Sequence, residues 1–346
     1  MLIELISNYG LFLLKTLTVL VSIIIILSFI INSKKNKSEG SLEVTNINEE
    51  LDILEDNIKK NIYSKKDYKN FIKEKKKNKK KSEKRIFILD FKGNIKASEI
   101  VSLRKEISGV LLTCKKGDEV LLRLENSGGT VHEHGLAAAQ LKRIKDKKIP
   151  LTICVDKVAA SGGYMMACVA NKIVSSPFAI IGSIGVIAQL PNFNKLLKNK
   201  GIDFEQQTAG NYKRTVTMFG HNTDKDREKL SEQLEDIHVL FKDFITNQRK
   251  NIDIDKVATG EYWYGKRALE LNLIDEIMTS DEYILSIKDK FNIIHIKYKP
   301  LISFADKITK TSAKLSNKIF YKFAQKIMMI NFLNNSFLYY FNNSIS

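Results

Sequence analysis

The hydrophobic residues form one long block near the start of the chain. Residues 11–31 read LFLLKTLTVLVSIIIILSFII, in which Lys15 is the only charged side chain. A helix of this length extends about 31 Å, which matches the hydrocarbon thickness of a bilayer. The polar residues Asn32 to Lys35 follow without a small-residue cleavage site, so the pattern favours an anchor over a cleaved signal peptide. We therefore predict a membrane anchor over residues 1–31 that contacts the lipid bilayer through residues 11–31.

From Arg85 onward, short apolar blocks of strand length alternate with segments in which apolar residues recur at helical spacing. The predicted strands cover 85–91, 118–125, 151–156 and 172–176, and the predicted helices cover 97–113, 131–147, 160–170 and 223–250. A short helix and a strand are predicted within 266–278. Continuous apolar strands separated by helices are typical of a parallel sheet that is covered on both faces. The sequence therefore predicts an α/β domain over residues 86–295.

Two basic segments flank this domain and carry most of the net charge of +17. Residues 32–85 are polar and lysine-rich, and we predict a stalk there, with a short amphipathic helix within 42–62. Residues 296–346 form a basic C-terminal tail, for which a surface-lying amphipathic helix and a disordered chain are the two alternatives. Because the lysine run within 65–85 contains few aromatic residues, we expect a solvated linker there and no nucleic-acid partner.

Three glycine-containing loops are the first candidates for chemistry. They cover residues 126–129, 159–163 and 182–185. In an open parallel sheet, ligands bind at the carboxyl ends of the strands, and the first two loops follow predicted strands. Backbone N–H groups of such loops, at helix N-termini, suit an oxyanion hole for a developing negative charge. A phosphate site is the alternative, but the chain contains no GxxxxGK[ST] sequence.

Ser161 is the candidate nucleophile, because only alanine and glycine stand within two residues on either side of it. The alternative is an ordinary helix N-cap, which is a common position for serine. A serine nucleophile needs a base, and a lysine amine can act as one when desolvation favours its neutral form. Lys213 is the candidate base, with an ordinary solvated surface charge as the alternative.

Histidine and cysteine chemistry is not favoured by the sequence. His132 and His134 flank Glu133, but positions i and i+2 point apart on a helix and no third ligand is evident. We therefore expect these histidines to be exposed or capping residues. The three cysteines are irregularly spaced and include no CxxC pair, which argues against a disulfide framework and a structural zinc site. We expect neither a metal nor a cofactor.

Four segments together resemble the signal peptide peptidase A family of Ser/Lys membrane peptidases. They read VDKVAASGGYMMACVANKIVSSPFAIIGSIGV (155–186), TAGNYKRT (208–215), DFKG (90–93) and VATGEYWYG (257–265). The resemblance implies a ClpP/crotonase-like α/β fold with an N-terminal transmembrane helix. It also implies a homo-oligomer, because half-length members of the family form rings in which neighbouring subunits complete the dyad.

The same resemblance assigns roles to individual residues. Ser161 matches the family's nucleophile and Lys213 its general base, while Ser183 matches the hydroxyl beside the base. Gly128 and Gly162 match positions that offer oxyanion N–H groups, with Gly129 as the second glycine of the same loop. The family commonly has proline where this chain has Ser127. The loss of proline's rigidity is expected to reduce preorganisation of the loop without abolishing function.

The leading hypothesis is a membrane-anchored serine endopeptidase that cleaves peptides or membrane-associated protein fragments. A crotonase-like acyl-CoA enzyme and a non-catalytic membrane scaffold are the alternatives. We expect a location in the cell inner membrane. The two arguments about orientation disagree: the lysines that follow the anchor place the domain in the cytoplasm, whereas relatives in the family work on the outer face.

Overall fold

A computed structural model of the chain describes residues 2–34, 40–78 and 82–300, and its side chains from residue 8 onward except 25, 27–34 and 78. The tail predicted over 296–346 therefore lies outside the described residues from 301 onward. The helices are α1 (Leu2–Lys34), α2 (Ile47–Ile62), α3 (Lys65–Asn78), α4 (Ile100–Thr113), α5 (Val131–Asp146), α6 (Gly162–Ala167), α7 (Asn194–Asn199), α8 (Asp224–Gln248), α9 (Ile254–Val257), α10 (Gly265–Glu270) and α11 (Ser280–Ile287). The strands are β1 (Ser41–Asn46), β2 (Arg85–Gly93), β3 (Glu119–Asn126), β4 (Leu151–Val155), β5 (Val158–Ala160), β6 (Lys172–Ser175), β7 (Ile180–Gly182), β8 (Tyr262–Tyr264), β9 (Glu276–Ile277) and β10 (Asn292–Lys299).

The strands form one large sheet, which confirms the predicted α/β class. The main strand order is β1-β10-β2-β3-β4-β6-β9. The pairs from β10 to β9 along this order are all parallel, as the alternation of strands and helices predicts.

Both faces of the sheet are buried, and the alternation of side chains along the strands divides the core between them. On one face, Phe87 and Leu89 of β2 pack with Leu122 of β3 and with the apolar sides of α4 and α5. On the other face, Ile88 and Leu121 pack in a smaller cluster that includes residues of α11. Burial on both faces explains why these strands are apolar throughout.

A branch of the sheet begins where β3 ends. The first half of β3 pairs with β4, but its last residue, Asn126, pairs with Ala159 of β5. Strand β5 then pairs in parallel with β7, and β7 pairs in antiparallel fashion with β8. The branch brings the loop after β3 close to the chain that follows β5. Strands β5, β7 and β8 are each three residues long, and the sequence pattern did not predict them.

Part of the segment predicted as a stalk is folded onto the domain. Strand β1 lies beside β10 at the edge of the sheet, and residues 42–299 form one compact unit. Asn48 joins α2 to the chain around β10: its amide Nδ2 donates to the carbonyls of Lys288 and Phe291 at 2.9 and 3.1 Å, and its Oδ1 accepts from the N–H of Ile293 at 2.6 Å. The stalk prediction failed here because these bonds join residues more than 200 positions apart.

The predicted anchor segment lies within α1. Across the residues searched, which are the described ones alone, no helix meets the length and hydropathy required of a membrane span. The membrane anchor is therefore unconfirmed and stays a prediction.

Candidate active site

Ser161 stands at a sharp turn between β5 and α6. Its backbone has φ 53° and ψ −121°, a conformation that side-chain-bearing residues rarely adopt and that costs about 1–3 kcal/mol. Its N–H donates to the carbonyl of Gly182 at 2.7 Å, which holds the turn against β7. The Ser161 side chain makes no capping hydrogen bond to α6. The N-cap role weighed from the sequence is therefore absent, and the helix does not use the hydroxyl.

The structure brings the first two glycine loops together around Ser161. Gly128 has φ +91°, and a Cβ added to it would lie 2.7 Å from the Cβ of Ser161. A narrow cavity beside the serine is lined by both loops and by apolar side chains of other elements: Gly129, Val131, Ser161, Gly162, Met165, Gly185, Val186, Ile237 and Phe241. The last two residues belong to α8, whose contribution to the site the sequence analysis did not foresee.

The three loop glycines differ in the availability of their N–H groups. The Gly128 N–H donates to Oδ1 of Asn126 at 2.8 Å and is therefore occupied. Gly162 is the first residue of α6, where N–H groups have no acceptor within the helix. Within the described part of the chain, no hydrogen bond occupies the N–H of Gly129 or of Gly162. Both glycines line the cavity beside Ser161, so their N–H groups are candidate donors to an oxyanion.

Ser183 lies one residue after the glycine that holds the nucleophile turn. It is half-buried with φ 51°, and its N–H donates to the carbonyl of Glu261 at 2.6 Å. The third glycine loop is thus tied on one side to Ser161, through Gly182, and on the other to the chain before β8. The backbone around Ser183 is fixed by these bonds.

Lys213 lies in an exposed turn of the segment between β7 and α8. Its N–H donates to the carbonyl of Gly210 at 3.2 Å, and its side chain is exposed. Among the hydrogen bonds and ion pairs of the described residues, none involves the Lys213 amine. Residues 202–208, just before this lysine, have no regular secondary structure. Within one copy of the chain, as far as the structure describes it, no hydrogen bond joins Lys213 to Ser161.

His134 corrects the expectation that the histidine pair is exposed or capping. His132 is exposed, but His134 is completely buried behind the first two loops. Its Nδ1 lies 2.9 Å from the carbonyl oxygen of Thr130, and its Nε2 lies 3.3 Å from Oδ1 of Asn126. Among the described residues, no group of three or more His, Cys, Asp or Glu side chains is arranged to hold a metal ion.

A second polar cluster, which is half-buried, lies at the DFKG sequence. Although burial opposes ionisation, bonds from His295 and Arg123 hold the pKa of the Asp90 carboxyl well below its usual range. His295 Nε2 is 2.9 Å from Asp90 Oδ2, and Arg123 Nε is 2.6 Å from Asp90 Oδ1. These contacts join β10, β2 and β3, so this part of the family sequence pattern has a structural role in the sheet.

Sequence reasoning missed Asn126 as a site residue. It was noted only as the start of a glycine loop, yet it is buried and its side chain contacts both the loop and His134. The signal available in the sequence was a polar residue at the end of an apolar strand whose neighbours were expected to be buried.

Comparisons with known proteins identify the family of the chain. The family profile described as "Peptidase family S49" matches residues 143–293, and the one described as "Peptidase family S49 N-terminal" matches residues 4–141. A protein of Haemophilus influenzae named "Probable protease SohB" is 44% identical over 94% of this chain and 98% of its own length. A "Probable protease SohB" of Buchnera aphidicola subsp. Acyrthosiphon pisum is 53% identical over 70% of this chain and 73% of its own length.

A third relative covers almost the whole chain. The "Putative protease SohB" of Buchnera aphidicola subsp. Baizongia pistaciae is 44% identical over 92% of this chain and 97% of its own length. The family resemblance read from the sequence is thereby confirmed across both halves of the chain. The chain belongs to peptidase family S49 and is a serine peptidase.

Proposed function

We propose that the protein is a membrane-anchored serine endopeptidase that uses Ser161 as nucleophile and Lys213 as general base. The observation that carries the proposal is the position of Ser161. Its hydroxyl is free of the helix that follows it, and it borders a cavity together with the unoccupied N–H groups of Gly129 and Gly162. A free nucleophile beside two unoccupied N–H donors suits acyl transfer.

The proposed reaction proceeds through an acyl-enzyme. Ser161 Oγ attacks the scissile carbonyl and its proton passes to the neutral Lys213 amine. The carbonyl oxygen becomes an oxyanion that accepts hydrogen bonds from the N–H groups of Gly129 and Gly162. The lysine then returns the proton to the leaving amine, and the C–N bond breaks. A water molecule deacylates Ser161 by the same steps, which releases the carboxylic acid and restores the serine.

Gly128 and Ser183 support this site, but neither takes part in the making or breaking of bonds. The Gly128 N–H is occupied by Asn126, so we assign Gly128 the role of close packing against Ser161. Ser183 is fixed beside the nucleophile turn and is assigned to hold the neutral amine of the base, as the family resemblance implies. The fold around them is proposed to be of the ClpP/crotonase-like kind, which is supported by the branch from β3 through β5 and β7.

The base is proposed to come from a second copy of the chain. Lys213 is exposed, and the segment that carries it also exposes many apolar side chains. These include Ile187, Leu190, Leu196, Ile202, Phe204, Tyr212 and Phe219, each with more than a third of its surface exposed. Stacked aromatic rings hold the segment together, with Phe219 at 6.0 Å from Phe193 and 5.7 Å from Phe204 between ring centroids. Association of two copies would cover this surface and desolvate the lysine amine.

The proposed substrates are peptides with a small or medium apolar residue before the scissile bond. The cavity beside Ser161 is narrow, and Met165, Val186 and Phe241 give it apolar walls. An apolar cavity of this kind binds an apolar side chain and offers no partner to a charged one. The anchor over residues 11–31 would place the site near the bilayer, where fragments of membrane-associated proteins are accessible. A reporter fused after residue 346 would show on which side of the membrane the catalytic domain lies.

The experiment compares the full-length protein with Ser161→Ala, Lys213→Ala and Lys213→Arg on a fluorogenic peptide with an apolar residue before the cleaved bond. All three variants are expected to lose activity to background, because arginine stays protonated and cannot accept the serine proton. Lys200→Arg is the matched control, since Lys200 is exposed in the same segment. Wild-type turnover in Ser161→Ala would remove the proposal, and wild-type turnover in Lys213→Arg would remove the lysine base.

A mixture of Ser161→Ala and Lys213→Ala subunits tests the second copy. If the dyad forms between subunits, a random equal mixture restores about a quarter of the sites, because some pairs combine an intact Ser161 with a neighbour's intact Lys213. If the dyad forms within one subunit, every site lacks one partner and the mixture stays inactive. Tight acyl-CoA binding without labelling of Ser161 by serine-directed reagents would instead support an acyl-CoA enzyme.

A further inference from the structure

Two buried side chains connect the loops that carry the oxyanion donors. Asn126 is the last residue of β3, and His134 lies in the first turn of α5. Both are almost completely inaccessible to solvent, and neither touches the cavity beside Ser161. The family sequence pattern did not assign a role to either. Buried polar side chains of this kind are retained where their hydrogen bonds fix a local geometry.

We propose that His134, acting with Asn126, is a positioning residue that holds the N–H groups of Gly129 and Gly162 in register for the oxyanion. The inference rests on the proposed function, since it concerns the geometry of that site. On this inference, the buried histidine raises the rate of acyl transfer without touching the substrate.

The loop after β3 is closed by the side chain of Asn126. Asn126 Oδ1 accepts the Gly128 N–H at 2.8 Å, which closes a tight turn over Ser127. Gly128 adopts φ +91° within this turn, and its Cα packs against Ser161. The orientation of the next peptide, which carries the Gly129 N–H, follows from this turn. Ser127, in the place of the family's proline, supplies no rigidity of its own, so the Asn126 bond is the local restraint that remains.

The histidine ring spans the same loop. Nε2 of His134 is 3.3 Å from Asn126 Oδ1 and Nδ1 is 2.9 Å from the Thr130 carbonyl oxygen. The two contacts lie at opposite ends of the segment 126–130. The ring therefore contacts both the side chain that holds the turn and Thr130, the residue that precedes α5.

The other loop lies against the same ring. A Cβ added to Gly162 would lie 2.7 Å from both Cβ and Cδ2 of His134, so the ring packs directly against the residue that follows the nucleophile. One imidazole thus touches the loop of Gly129 through its two ring nitrogens and the loop of Gly162 through packing. The separation of the two donors depends on this ring. Donors aimed at the oxyanion act in the transition state, so their displacement lowers kcat more than it changes KM.

The test uses the full-length protein and the fluorogenic peptide named above. His134→Phe keeps a ring against Gly162 but removes both nitrogen contacts, and His134→Gln restores a side-chain N–H donor. The matched control is His132→Phe, because His132 is exposed on the same helix turn. We expect His134→Phe to lower kcat about 10- to 100-fold with KM within about twofold, which is less than the roughly 100- to 1,000-fold loss typical of a removed oxyanion donor, because the donors are displaced and not removed. His134→Gln should recover at least part of this loss, and His132→Phe should match the wild type.

The outcomes separate the inference from the proposed function. A folded His134→Phe variant with kcat within twofold of the wild type overturns the inference, as does an increase in KM that accounts for the whole loss. Where His134→Phe fails to fold, Asn126→Ala decides: a loss of kcat at constant KM supports the inference, and an unchanged kcat overturns it. Full activity of Ser161→Ala would instead remove the proposed function, whatever the histidine variants show.

Discussion

The free energy of unfolding should fall as the pH rises through the weakly acidic range, and the substitution Glu106→Gln should abolish this fall. Glu106 lies in α4 with only 3% of its surface exposed. Its Oε1 accepts the N–H of Tyr298 in β10 at 2.8 Å, whereas its Oε2 has no hydrogen-bond partner in the described part of the chain. Desolvation by burial raises the pKa of this carboxyl from 4.5 to about 7, against the opposing effect of the Tyr298 bond.

The sign and the size of the effect follow from proton linkage. Between pH 4.5 and 7 the unfolded chain releases the Glu106 proton while the folded chain keeps it, so the free energy of unfolding falls as the pH rises. At about 1.36 kcal/mol per pKa unit, the loss reaches about 3 kcal/mol above pH 7. Glutamine keeps an oxygen for Tyr298 and carries no charge. At pH 4 the variant should be within about 1 kcal/mol of the wild type, and at pH 8 it should be more stable by about 2–3 kcal/mol.

The assay is urea unfolding of the two full-length proteins at half-unit steps from pH 4 to pH 8. The difference between the two curves reports the titration of Glu106 together with its coupling to Asp90, Glu99 and His295, the charged groups that act on its pKa. Glu228→Gln is the control, since Glu228 is exposed and lies in α8. A difference between wild type and Glu106→Gln that stays constant across the pH range would refute the reasoning.

Two further substitutions test the site and its support. Gly128→Ala should lower kcat at least tenfold and destabilise the fold by about 1–2 kcal/mol, because alanine is strained at φ +91° and its Cβ would lie 2.7 Å from that of Ser161; peptide kinetics and urea unfolding measure the two effects. Tyr164→Phe removes the buried bond from the tyrosine hydroxyl to the Leu273 carbonyl at 2.9 Å. It should cost about 1–2 kcal/mol of stability by the same unfolding assay while kcat changes less than about twofold.

The regular elements of the main sheet were predictable because their periodicity is local. The predicted strand over 85–91 corresponds to β2 and the predicted helix over 131–147 to α5, each within a few residues. The short strands β5, β7 and β8 were missed because three residues are too few to show a period. Strand β10 was missed as well, and it extends to Lys299, four residues beyond the predicted end of the domain. Its pairing with β2 joins residues that are about 200 positions apart.

In the candidate site too, residues set by local sequence were predictable, and residues that depend on distant contacts were missed. Ser161 and its flanking glycines form a local turn, so the spacing of small residues was sufficient to identify them. The roles of Asn126 and His134 depend on the meeting of two loops that follow different strands, which no single window of sequence contains. The sequence offered a histidine pair and favoured exposure for both members. The structure separates them, because on a helix two residues apart only one can face the core.

The placement of Lys213 explains how the chain could remain inactive until it assembles. The nucleophile turn and both proposed oxyanion donors lie within one compact unit, and a backbone hydrogen bond from Ser161 to Gly182 holds the turn. The proposed base lies in an exposed turn, in contact with water. Contact with a second copy would cover the apolar side chains around it and remove that water in the same step. Activity should therefore appear with the oligomer and vanish on dilution below its dissociation constant, and cleavage that is strictly proportional to protein concentration through that range would contradict a base from a second copy.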